Sequence, residues 1–179
     1  MDDMAKHLSM SKKTLYQYVK DKEDLVNKVV TLFTDNEHLH VKGILEKGYN
    51  AIEESLEIMK WVSNVLQNVH PSVIYDLQKY HPEVALRLNK RQEETICGSI
   101  LHNLKKGQKE GLYRKDFYPE IIAKVYAARI DQMLRELIYP LEQFKLSDIY
   151  KEIFKYHIHG VASPAGLEHL KEKMKSIKL

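Results

Sequence analysis

Apolar residues recur along the chain at spacings of three and four rather than two. Proline and glycine stand where stretches of that pattern begin and end, which predicts helix almost throughout. Two short helices come first, Asp2 to about Leu8 and Lys12 to about Val19, separated by Ser9-Met10-Ser11. From Glu23, the positions Leu25, Val29, Leu32, Phe33, Val41, Ile44 and Leu45 sketch a long amphipathic helix that loses its pattern near Gly48 and is suited to connecting two modules. The next helix, about Ala51 to Val69, carries Ile52, Leu56, Met59 and Leu66 on one stripe and Ile58, Val62 and Val65 on another, so burial on more than one side is expected. His70-Pro71 interrupts it, a short segment with Val73, Ile74 and Leu77 follows, and Pro82-Glu83 opens a long helix to about Lys109 with Gly111 just past its end. Pro119-Glu120 repeats the start signal before Ile121, Ile122, Val125, Tyr126, Ile130, Met133, Leu134, Leu137 and Ile138, and Pro140 bounds that helix. Ser147 is the expected N-cap of a last major helix with Ile149, Ile153, Phe154 and Tyr156, stopped at Gly160. Leu167, Leu170, Met174 and Ile177 then share one face of a terminal helix, read as docked rather than lying on a membrane.

Composition narrows the picture to an all-α fold. Seven glycines and five prolines in 179 residues are too few for a turn-rich β protein, and 44% hydrophobic content fills a sizeable core. Charged residues make up 30% of the chain, and no apolar run approaches the length of a membrane span. Met1-Asp2-Asp3 lacks the basic start of a signal peptide, so a soluble cytoplasmic protein without a membrane partner is expected. Cys97 is the only cysteine, which excludes an intrachain disulfide and a multi-cysteine zinc site, and it reads as a small buried hydrophobe. Only five of the 28 basic residues are arginine, and the net charge of +3 does not by itself announce a nucleic-acid partner.

The opening pair of short helices has the outline of a helix-turn-helix. Such a unit needs a small residue where the helices cross, a tight turn and an apolar anchor, and Ala5, Ser9 and Leu15 stand in those places. Ser11 can cap the second helix, leaving Lys12, Lys13 and Gln17 on its outward side to meet a major groove. Six lysines face five acids between Met1 and Val30, so position matters more than total: the lysines at 12, 13, 20 and 22 surround the proposed reading helix. With no arginine in this segment, direct readout rests on Lys12 or Lys13 against guanine and Gln17 against adenine. A short helical hairpin with surface lysines and no DNA role has the same outline.

The run Met4-Ala5-Lys6-His7-Leu8-Ser9-Met10-Ser11-Lys12-Lys13-Thr14-Leu15-Tyr16-Gln17-Tyr18-Val19-Lys20-Asp21-Lys22-Glu23-Asp24-Leu25 resembles the DNA-binding signature of TetR-type transcriptional regulators. It departs from the family pattern at Met4 for isoleucine, Ser9 for glycine and Val19 for phenylalanine, and Ser9 is strained if its backbone must be left-handed. The resemblance implies that Ser11 caps the reading helix, that Lys12, Lys13 and Gln17 lie toward bases, and that Thr14, Tyr16, Tyr18 and Lys22 touch phosphates; Tyr18 also reads as a core aromatic. It implies an incomplete DNA-binding domain over residues 1–46 and a helical effector-binding and dimerisation domain over 47–179. The family's domain has one more helix at its start, whose absence would uncover the apolar sides of Leu8 and Leu15. The partners implied are double-stranded operator DNA, a second copy of the chain, and a small apolar or amphiphilic effector that releases a repressor. The second copy pairs through two long helices at about Pro119 to Tyr139 and Asp148 to His159, so Ile130→Glu or Phe154→Glu is expected to split the dimer.

For the effector, Trp61, Tyr75, His102, Tyr126, Arg129 and Met133 are the candidate lining. Tyr126, Arg129 and Met133 recur at three and four, so a guanidinium among apolar neighbours would attract an anionic amphiphile such as a fatty or bile-type acid. The plainer reading pairs Arg129 with an acid or the dimer partner and puts Trp61 in the core. His38-Leu39-His40 and His157-Ile158-His159 place their rings on opposite sides of a helix, so no metal site is expected. There is no phosphate-cradling glycine loop and no nucleophile elbow, and Glu53-Glu54 and Glu93-Glu94 read as solvated faces, so neither an enzyme nor a cofactor is expected. The competing function is a helical small-molecule-binding protein without effective DNA binding.

Overall fold

A computed structural model describes residues 1–135, 139 and 143–175, with the side chains of these except at positions 71, 91–94 and 135. The described chain is all-α. Its helices are α1 (Asp2–His7), α2 (Lys12–Tyr18), α3 (Lys22–Leu45), α4 (Ala51–Asn68), α5 (Pro71–Tyr80), α6 (Pro82–Glu110), α7 (Pro119–Arg135), α8 (Leu146–Val161) and α9 (Pro164–Lys175). Local signals set most of these bounds. Asn50 and Glu53 form a reciprocal capping box at α4, and Pro71 and Pro82 open α5 and α6. Gly111 ends α6 in the left-handed conformation at φ 74°, which a side chain would strain. Two expected signals fail. Lys145 rather than Ser147 precedes α8, leaving Ser147 inside the helix, and α8 runs through Gly160 to Val161. Leu137, Ile138, Pro140 and Ile177 lie outside the described residues.

The larger core is built where α4 packs on α8 and α6 on α7. Ile52, Leu56, Met59, Leu104, Met133, Phe154 and Ile158 fill it, and α9 closes over α4 through Leu170. Ile130 and Phe154 belong to this core. They are therefore wrong positions for splitting a dimer, because a glutamate at either would unfold the subunit. Gly166 lets α9 approach closely: a Cβ there would fall 2.0 Å from the Leu112 carbonyl oxygen. Ser163 N–H donates to that same oxygen at 2.9 Å, and Arg114 N–H donates to the Val161 oxygen at 2.9 Å, so the turn after α6 is tied to the α8–α9 corner.

The core also holds charge. Glu54 is 1% exposed, not solvated as its sequence suggests. Its carboxylate accepts from Lys106 Nζ and, at 3.1 Å, from Asn103 Nδ2. Asn103 Nδ2 also donates to the Ala51 carbonyl at 2.8 Å, while Asn103 Oδ1 accepts from the Ser55 and Tyr113 hydroxyls, each at 2.9 Å. Burial pushes the Tyr113 hydroxyl above the usual tyrosine range, so it acts as a neutral donor. Glu53, beside it, is half-buried: its carboxylate accepts from Asn50 N–H at 3.2 Å and pairs with Lys173 at 2.6 Å. Glu93 and Glu94 have side chains outside those described.

Candidate nucleic-acid interface

Residues 1–25 form a second, smaller core of Ala5, Leu15 and Val19, with Met1, Met10 and Leu25 packed against it. Ala5 supplies the small crossing residue and Leu15 the anchor. The turn between α1 and α2 closes through Ser9 N–H to the Lys6 oxygen at 3.1 Å and Met10 N–H to the Ala5 oxygen at 2.9 Å. It needs Ser9 at φ 53°, the left-handed backbone that glycine adopts most freely. Leu8 is exposed, but Leu15 is only 5% exposed, so one of the two apolar sides expected to be uncovered is covered.

Ser11 is the N-cap of α2, and its hydroxyl accepts from Thr14 N–H at 3.0 Å. Helical geometry then sets Lys13 and Gln17 opposite the anchoring Leu15, with Tyr16 on the flank, and all three are exposed. Lys12 is exposed as well and pairs with Asp2 at 3.0 Å. That pairing holds the Asp2 carboxyl below its ordinary range and the Lys12 ammonium above its own. Thr14 is half-buried, and Lys22, at the start of α3, is exposed. Tyr18 is 69% exposed, so it is not a core aromatic. Seven of the eight residues named from sequence thus lie on α2 or at its N-cap and Lys22 opens α3, most of them open to solvent.

The relatives that the chain matches are transcriptional regulators. It is 25% identical over 167 residues to the uncharacterized HTH-type transcriptional regulator YvaF of Bacillus subtilis, across 91% of this chain and 85% of the relative. It superposes on the crystal structure of a transcriptional regulator from Cytophaga hutchinsonii with a TM-score of 0.65 at 15% identity, across 91% of this chain and 88% of that one, which establishes a common fold. No family profile matches the chain.

Among the described residues the six nominated for an effector do not form one site, although Tyr126 packs against the core that holds Met133. Tyr75 and His102 are exposed, and Arg129 is exposed with its guanidinium donating to Gln132 Oε1 at 2.8 Å, whereas Met133 is buried in the core. Trp61 is half-buried and stacks on His40 with centroids 4.9 Å apart. None of the six lines the open groove formed by His159, Leu167, Leu170, Lys171, Met174 and Lys175. The Tyr126 hydroxyl is buried beside that of Tyr150, and the Ser147 hydroxyl is buried without a hydrogen-bond partner among the described residues. Burial first, and then the neighbouring Tyr150, push the Tyr126 hydroxyl above its ordinary range.

The Tyr126 ring stacks on His157 with centroids 3.8 Å apart. Burial pushes that imidazole down from 6.5 to about 4. Because the folded value is the lower one, the unfolded chain takes up the proton first as pH falls. The associated stability is present above about pH 6.5 and is lost down to about pH 4, roughly 3 kcal/mol in all. Urea midpoints measured between these limits should fall in the native chain and fall less in His157→Phe; parallel profiles would contradict this assignment.

Proposed function

We propose that the chain is a TetR-type transcriptional regulator that binds operator DNA as a homodimer and, as a cytoplasmic repressor, is released by a small apolar or amphiphilic effector. Residues 1–46 are the reading domain, and 47–179 bind the effector and the second copy. The observation that carries this reading is the Ser11-capped helix α2, anchored inward by Leu15 with Lys13, Tyr16 and Gln17 open to solvent. Regulator relatives spanning most of the chain support it.

One short reading helix makes few contacts, so a symmetric pair is needed to hold two half-sites. The outer faces of α7 and α8 suit that pairing. Ile121 and Val125 are 57% and 60% exposed on α7, and Tyr156 is 87% exposed on α8, although the opposite faces of both helices are core. An effector acts by binding more tightly to a conformation in which the reading heads no longer match successive grooves. The buried Ser147 hydroxyl is the polar group such a ligand would satisfy. The test is DNA affinity against salt, using a duplex from the region upstream of the chain's own gene. Lysine contacts to phosphates from two heads should cost about 10³-fold in affinity between 50 and 200 mM salt. Affinity indifferent to salt, or no binding at any salt, would sink the proposal.

A further inference from the structure

The start of α3 carries two sets of side-chain bonds on adjacent faces. On one face Lys28 Nζ donates to the Tyr18 carbonyl at 2.7 Å and to Asp24 Oδ2 at 2.9 Å. Asp24 Oδ2 also accepts from Lys20 N–H at 2.9 Å, and Asp21 caps α3 by accepting from Asp24 N–H at 2.8 Å. Tyr18 is the last residue of α2. The ammonium therefore grips the carbonyl end of the reading helix, where the helix dipole favours a cation. Lys28 foremost, and then the Lys20 amide, hold the Asp24 carboxyl below its ordinary range, so it stays an acceptor for both. On the other face, Glu23 accepts from the ring N–H of His81, and Asn27 Oδ1 accepts from the Arg87 guanidinium. His81 is the junction of α5 and α6, the C-cap of one and the N-cap of the other.

Residues 23 and 27, and likewise 24 and 28, are one helical turn apart, and the two pairs are offset by one residue. We propose that these two turns of α3 form a two-faced joint. Asp24 and Lys28 are positioning residues that set the pitch of α2, while Glu23 and Asn27 fasten the same turns to the α5–α6 corner. A displacement of that corner then reaches the reading helix across one helix diameter, without having to bend the 24-residue α3. The inference rests on α2 being the reading helix only for its consequence in DNA binding. The joint itself concerns the free chain.

Backbone hydrogen exchange on the intact chain tests it. Lys28→Met should speed exchange of the α2 and residue 19–20 amides about tenfold while α4 and α8 keep native rates. Lys28→Arg, which retains a donor, should stay within about twofold of native. Arg87→Met touches nothing in α2, yet should speed the same amides about threefold, and Asn27→Ala, which removes the other partner of that bond, should reproduce it. Native α2 exchange in both Arg87→Met and Asn27→Ala overturns the joint. So does Lys28→Met loosening α4 and α8 equally, or Lys28→Arg exchanging as fast as Lys28→Met. In a parallel arm, Lys28→Met should weaken binding to the upstream duplex about tenfold. If the native chain binds no duplex, the regulator reading fails while the exchange pattern still decides the joint.

Discussion

Lys106→Met should cost the folded chain about 3–5 kcal/mol, the largest loss expected from any single polar substitution here, because it leaves the Glu54 carboxylate buried without its cation. Asn103 Nδ2 would remain as a neutral donor at 3.1 Å, and one neutral amide does not offset a buried charge. The methionine keeps the length of the lysine stem, so the loss reports on charge rather than on a cavity. The pair itself adds little. Glu54→Leu combined with Lys106→Met should recover most of the stability, since two apolar groups of similar size carry no desolvation cost. Urea unfolding followed by circular dichroism gives both numbers. A single variant within about 1 kcal/mol of native would mean that water reaches the carboxylate, contrary to the 1% exposure of Glu54.

Glu54 also shows where sequence reading ran out. Its neighbours in sequence are Glu53 and Ser55, and the pattern says only that two acids stand in the first turn of a helix, where they are common. What buries it is Lys106, fifty-two positions away on α6. Arg129 fails in the opposite direction: its spacing from Tyr126 and Met133 suggested one shared face, but a wide apolar arc on α7 turns Met133 into the core and leaves the guanidinium outside. Serine is a common cap, yet the cap of α8 is Lys145, two residues before Ser147, and the helix begins at Leu146. By contrast, α1, α2 and their turn were legible almost to the residue. Their bounds follow from short-range chemistry: the Ser11 cap, the small Ala5 and the Leu15 anchor. Asp24 and Lys28 have the spacing of an ordinary helical ion pair, but nothing local marks their grip on α2, because the bond from Lys28 to the Tyr18 carbonyl spans ten positions and obeys no helical period.

Val125→Glu should turn a dimer into a monomer without unfolding it and should lower DNA affinity by about 10²–10⁴-fold. Val125 is 60% exposed on the outer face of α7, so a carboxylate there meets water in the isolated subunit and leaves the core of Met133 and Ile158 untouched. Around a twofold axis the same substitution appears twice in one interface, and two glutamates would be buried in apolar surroundings with no cation to meet them. The DNA effect follows from linkage: in the dimer the second head binds at the high local concentration set by the first, and a monomer loses that entirely. Light scattering at fixed concentration should show the mass halved, with an unchanged helical spectrum, and titration of the upstream duplex at one salt should show the loss of affinity. Ile130→Glu is the control that separates assembly from folding, because Ile130 is 7% exposed and its glutamate should abolish the helical spectrum itself. A native chain that is already monomeric, or a Val125→Glu chain that stays dimeric, would remove the α7–α8 face from the assembly and with it the physical basis for two matched reading heads.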